Sequence, residues 1–62
     1  MTNDSIKIMD PNILLSVMNT KLRDHYTSLD LLCYDLEITK EGIIERLNSI
    51  GYTYNRKENQ FK

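Results

Sequence analysis

The chain holds one thiol and one imidazole, Cys33 and His25. A cysteine nucleophile needs a base beside it and an exposed, electropositive setting that favours the thiolate. Cys33 instead falls on an apolar stripe with Leu29, Leu32 and Leu36, where a free thiol packs as a small hydrophobe. His25 ends a helical stretch, where a partly charged imidazole suits the negative end of the helix dipole. A zinc site wants several converging ligands, usually four. Here there is no C-x-x-C or H-x-x-x-H pairing. The two glycines stand singly, so no glycine-rich phosphate loop exists. The expectation is a protein that is not an enzyme, with no catalytic residue, no metal and no cofactor. So short a chain also leaves little volume for a small-molecule substrate.

The remaining chemistry belongs to cations and aromatics. Lys21 and Arg23 form one small basic cluster, and Arg56 and Lys57 form another. Lys40 and Arg46 flank a third helical stretch. These six are the candidate nucleic-acid contacts, in an arrangement where that helix enters a groove and a following hairpin touches backbone. The outer face of the same helix carries Glu41 and Glu45 with Asn48 and Ser49, and its carboxylates would repel phosphates. The formal net charge is −1, with signs mixed along the chain, so no basic excess points to nucleic acid. Tyr52 and Tyr54 could stack on bases. Their alternation assigns them to the core instead.

The elements that would position these residues can be read from spacing. Asp10-Pro11 is a helix start, an N-cap acceptor followed by a residue preset for the first turn. From Pro11 to about His25, the residues Leu14, Leu15, Met18, Leu22 and Tyr26 follow helical spacing. Thr27-Ser28 offers a second N-cap, and a helix from Leu29 to about Leu36 turns Leu29, Leu32, Cys33 and Leu36 inward. Thr39 is a third N-cap, for a helix from Lys40 to Ile50 with Ile43, Ile44, Leu47 and Ile50 inward. Gly42 costs that helix about 1 kcal/mol against alanine, which close packing against another backbone would explain. Gly51 is placed for a left-handed helix stop, with Tyr52 folding back onto Leu47. Tyr52 to Asn55 then alternates, Arg56 to Asn59 turns, and Gln60 to Lys62 returns. In that register Tyr54 faces Phe61, and Asn59 takes positive φ.

Residues 1–9 form a separate N-terminal segment. Ile6 and Ile8 alternate with Ser5 and Lys7, which reads as a short strand or a disordered terminus. Residues 10–62 form one domain. The fold class is mainly α, a three-helix, helix-turn-helix-like bundle with a C-terminal wing-like β-hairpin.

One surplus stands out. Ile13 and Val17 on the first helix, and Leu31 and Tyr34 on the second, are apolar beyond a single inner stripe. If residues 5–9 do not cover them, they form an exposed patch of the kind that marks an interface. They are the candidate protein interface, and the expected partner is a protein or a second copy of the chain. Nucleic acid stays as the alternative, disfavoured by Glu41 and Glu45.

At 62 residues the chain buries only about 60% of the surface its unfolded form exposes, so stability is thin. No apolar run approaches the roughly 20 residues of a membrane span. A lone cysteine and an N-terminus without a signal peptide fit a cytoplasmic protein.

The wording from Asp10 to Phe61 resembles a bacterial family of short proteins, domain of unknown function 4250. The shared features are Asp10-Pro11, the stretch Leu14 to Cys33 with its "KLRD" and "SLD" words, and the close Gly51 to Phe61 with "GYTY" and "NQF". Gly42 departs from the pattern, where a better helix former is expected. The resemblance implies this fold and a bacterial cytosolic setting. It implies no activity, no cofactor and no binding residues, because none is established for the family.

Overall fold

The computed structural model describes residues 1–62. Four helices run in chain order: α1 Asn3–Ile8, α2 Pro11–Asp24, α3 Leu29–Leu36 and α4 Lys40–Asn48. An antiparallel hairpin of β1 Tyr54–Asn55 and β2 Gln60–Phe61 closes the chain. The domain is mainly helical with a C-terminal hairpin, as the spacing predicts, and it has one helix more than expected.

The extra helix corrects the reading of residues 1–9 as a strand or a disordered segment. Thr2 and Ser5 form a reciprocal capping box that starts α1. Ile6 is buried, and Met9, three residues on, also packs against the core. That spacing is helical. Ile8, which suggested alternation, is 85% exposed and anchors nothing.

The other helix starts largely follow their caps. The Asp10 Oδ1 accepts from the Asn12 N–H at 2.8 Å, and the Ser28 Oγ accepts from the Leu31 N–H at 3.1 Å. Thr39 precedes α4 as expected, but its side chain caps nothing in that helix. Its N–H instead donates to the Asn3 Oδ1 at 2.9 Å, and its hydroxyl reaches the same atom at 3.4 Å. The start of α4 is thus fastened to α1. A Cβ added at Gly42 would sit 3.1 Å from the Thr39 Oγ1, so the close neighbour is a side chain and not the second backbone expected.

Two helices end in left-handed turns. After α4, Gly51 has φ +87, its N–H bonds the Asn48 carbonyl, and the Tyr52 N–H bonds the Leu47 carbonyl. This double closure ends α4 at Asn48, short of Ile50. After α3, Glu37 takes φ +56, and the Ile38 N–H bonds the Cys33 carbonyl. That turn draws Ile38 into the core, a position the spacing did not select.

Leu14, Met18 and Leu22 of α2 form the centre of the core, against Leu29, Leu32, Ile43, Leu47 and Phe61. The hairpin lies on α2 with the predicted register, Tyr54 opposite Phe61 and Asn55 opposite Gln60. The Tyr54 and Phe61 rings are 5.4 Å apart and tilted by 54°, a favourable aromatic pairing. Asn19 of α2 clamps β2. Its Oδ1 accepts from the Phe61 N–H at 2.8 Å, and its Nδ2 donates to the Phe61 carbonyl at 3.1 Å.

Two stability changes follow. Asn19→Ala strands both backbone groups of Phe61 and should lower the unfolding free energy by about 1–3 kcal/mol in urea titration. Glu37→Gly removes the steric cost of a left-handed non-glycine residue and should raise it by about 1 kcal/mol.

Candidate functional site

The outer face of α3 is where surface chemistry is least explained by folding. Leu29, Leu32 and Cys33 point into the core, so the residues between them must face solvent. Leu31 is 52% exposed and Tyr34 is 85% exposed. Three residues apart on a helix, their side chains are neighbours. Asp30, Asp35 and Glu37 surround them, and no lysine or arginine occurs between Asp24 and Lys40. Each flanking acid has a distinct environment. The Lys40 Nζ lies 2.9 Å from the Asp30 Oδ1, and this bond holds the Asp30 carboxyl below its ordinary range and raises the Lys40 ammonium. The Tyr26 hydroxyl donates to Asp35 at 2.5 Å, which pushes the Tyr26 phenol up. Glu37 is exposed in the turn that ends α3.

Of the four candidate interface residues, Leu31 and Tyr34 adjoin. Ile13 on α2 is also exposed, at 58%. Val17 is half-buried and packs against the core, so it is a correction to the expected patch. It lies one helical turn past Ile13 and closer to the buried Leu14–Met18 stripe. α1 leaves Ile13, Leu31 and Tyr34 uncovered.

The six cations proposed for nucleic acid do not gather. Arg23 pairs with Asp24 next to it, at 2.9 Å. The Arg46 Nη2 donates to the Met9 carbonyl at 2.8 Å, so this side chain fastens α1 to α4, while its buried Nε has no partner. Lys21 is half-buried in the last turn of α2, and Lys57 is exposed in the hairpin turn. Only Lys40 and Arg56 meet. Both line a groove of about 450 Å³ between β1, α4 and the start of α3, and Asp30 lies with them. The Asp30–Lys40 bond dominates both groups, and the Arg56 charge adds only a small effect on each. Glu41 and Glu45 are exposed on α4, as the outer-face reading expects.

A larger depression, about 880 Å³, separates α2 from the hairpin turn. It is lined mainly by polar side chains, and two of its three asparagines, Asn19 and Asn59, are committed to main-chain groups.

Cys33 is buried, and burial pushes its thiol above the ordinary value. His25 is exposed as the residue capping the end of α2. No three His, Cys, Asp or Glu side chains come together as a metal-holding group.

The fold is a small four-helix domain closed by a hairpin, with an acid-rimmed apolar ridge on α3. The chain belongs to the family described as Domain of unknown function (DUF4250), whose profile matches residues 8–61. No curated protein and no solved structure matches it. No helix is long and apolar enough to cross a membrane.

Burial of the Cys33 thiol gives stability a pH dependence. The folded state favours the neutral thiol, so unfolding releases a proton once the pH passes the ordinary thiol range near about 8.5. Stability from this source is intact at neutral pH and declines above that point. Urea midpoints should fall more between about pH 7 and about pH 10 in the wild type than in Cys33→Ala. Tyr26 acts in the same direction in both proteins and cancels from the comparison.

Proposed function

We propose that this chain is a protein-docking module, and that the outer face of α3 meets its partner. The observation that carries the proposal is the pair Leu31 and Tyr34, side by side and exposed on a chain with only 11 buried residues. Isolated exposed apolar residues are ordinary. An adjacent leucine and tyrosine ringed by carboxylates have the composition of an interface centre with a polar rim. Tyrosine is also among the residues that dominate binding energy at such centres.

The acids favour a different protein over a second copy. Two α3 faces meeting about a two-fold axis would bring Asp30, Asp35 and Glu37 against their own images. A partner with basic residues at its rim meets the same acids with attraction. The nucleic-acid alternative has less support, since only Lys40 and Arg56 converge and Asp30 shares their groove, paired with Lys40.

The test is to replace Tyr34 with the photo-reactive residue benzoylphenylalanine and irradiate cells that express the chain. Thr20, exposed on α2, carries the same group as control. One discrete adduct from position 34, absent from position 20 and lost on Leu31→Ser, is expected. No adduct at position 34 would sink the proposal. An adduct of twice the chain's 7.3 kDa mass would replace it with self-association.

A further inference from the structure

The hairpin is engaged along one edge only. Thr53 and Lys62 exchange both backbone hydrogen bonds, at 3.2 and 2.9 Å. Antiparallel pairing alternates, so at the next pair, Tyr54 and Phe61, the N–H and C=O groups point away from each other and out of the hairpin. On β2 the outward groups of Phe61 are taken by Asn19. On β1 no side chain takes the outward N–H and C=O of Tyr54.

The groove shared by Lys40 and Arg56 runs beside that open edge. Leu29, Ile44 and Tyr54 provide its apolar lining, and Lys40, Arg56 and Asn48 provide polar walls. Asp30 is its one carboxylate, so the two cations leave a net positive charge. We propose that this groove binds an extended peptide segment, which adds to β1 as a third strand and sets an acidic side chain against Lys40 and Arg56.

Each part of the groove selects for this ligand. An open strand edge offers one donor and one acceptor at strand spacing, which a peptide backbone answers with the reverse pair. Alternate side chains of an added strand point to one face, so apolar residues at every second position reach Leu29 and Ile44. A carboxylate offers Arg56 a two-pronged acceptor. A DNA backbone has no donor for the Tyr54 carbonyl. The inference is separable from the α3 ridge, because the two share only Asp30 and call for different ligand shapes.

The test uses the full chain, isotope-labelled, with two mixtures of acetylated, amidated hexapeptides. Both alternate Val, Ile or Leu with polar residues, which are Glu, Asp or Thr in one mixture and Lys, Arg or Thr in the other. The acidic mixture should shift the Thr53, Tyr54 and Ile44 signals and slow exchange of the Tyr54 amide by about tenfold or more. Arg56→Glu, at an exposed turn position, should weaken binding by about tenfold. Asp30→Asn, which frees Lys40, should strengthen it by about threefold. Retained Tyr54–Phe61 proximity signals establish that each variant keeps its hairpin.

Unchanged Tyr54 exchange with the acidic mixture overturns the proposal. So does equal slowing by the basic mixture, which would mean that charge plays no part. Binding of an oligothymidylate through Lys40 and Arg56, without protection at Tyr54, would replace the peptide with nucleic acid.

Discussion

One side chain holds the junction on which the rest of the fold depends. Asn59 donates from its Nδ2 to the carbonyls of Leu22 and Tyr26, both at 2.9 Å. Its Oδ1 accepts from the Tyr54 hydroxyl at 2.6 Å, and that hydroxyl in turn accepts from the Leu29 N–H at 3.2 Å. Leu22 and Tyr26 are at the end of α2, and Leu29 opens α3. These are the places where helices leave backbone groups without internal partners. The residue that satisfies them stands in a hairpin turn at φ +53. Asparagine joins the required properties in one side chain, two donors, an acceptor and tolerance of the left-handed region. Aspartate would lose the donors, and glycine would lose the whole bond set.

The consequences run outward from that junction. Tying the turn to the end of α2 lays β2 along α2, where Asn19 takes its outer edge. Tying Tyr54 to the start of α3 sets the opposite edge beside α4. The groove between them is what remains when the hairpin is held at two points and not along its length. Arg56 reaches that groove because it lies just past β1, and Lys40 reaches it because α4 begins there. Arg46 and Asn3 fasten α1 to α4 in the same manner, by side chains on main-chain groups. Small size makes this strategy useful. With few apolar residues to bury, much of the ordering between elements falls to specific hydrogen bonds, each worth about 1 kcal/mol.

The sequence shows most clearly what local chemistry decides. Asp10, Ser28, Gly51 and the alternation around Tyr54 act through neighbours a few residues away, and the elements they mark are where they were expected. The misses share the opposite character. α1 is signalled by Thr2 and Ser5, but two isoleucines at even spacing imitate a strand, and only the position of α4 shows that Ile6 and Met9 are the anchors. Ile38 enters the core because Glu37 adopts a conformation that its residue type does not advertise. The roles of Asn19, Asn59 and Arg46 depend on partners 33 to 42 residues away, beyond the reach of spacing arguments. The same limit applies to the site. That Leu31 and Tyr34 are surplus to the inner stripe is visible in a helical wheel. That Val17 is not surplus, and that Lys40 finds Arg56, requires the packed structure.

The α3 face therefore has to be judged against what folding needs. Tyrosine is a middling helix former, so a lysine or glutamate in place of Tyr34 would serve the helix as well or better. Nor does its ring contribute to the core, being 85% exposed. The acids around it do not compensate for this. Asp30 suits the first turn of α3 through the helix dipole. Asp35 and Glu37, near the other end, stand where the dipole favours a cation. Folding thus accounts for Leu29, Leu32 and Cys33, and for Asp35 through the Tyr26 hydroxyl, and leaves Leu31, Tyr34 and Glu37 unexplained as a group. A surface that is mildly unfavourable to the monomer becomes intelligible if its free energy is realised in a complex. Binding also stabilises the folded state by mass action, so an occupied α3 would reinforce a domain with a small core.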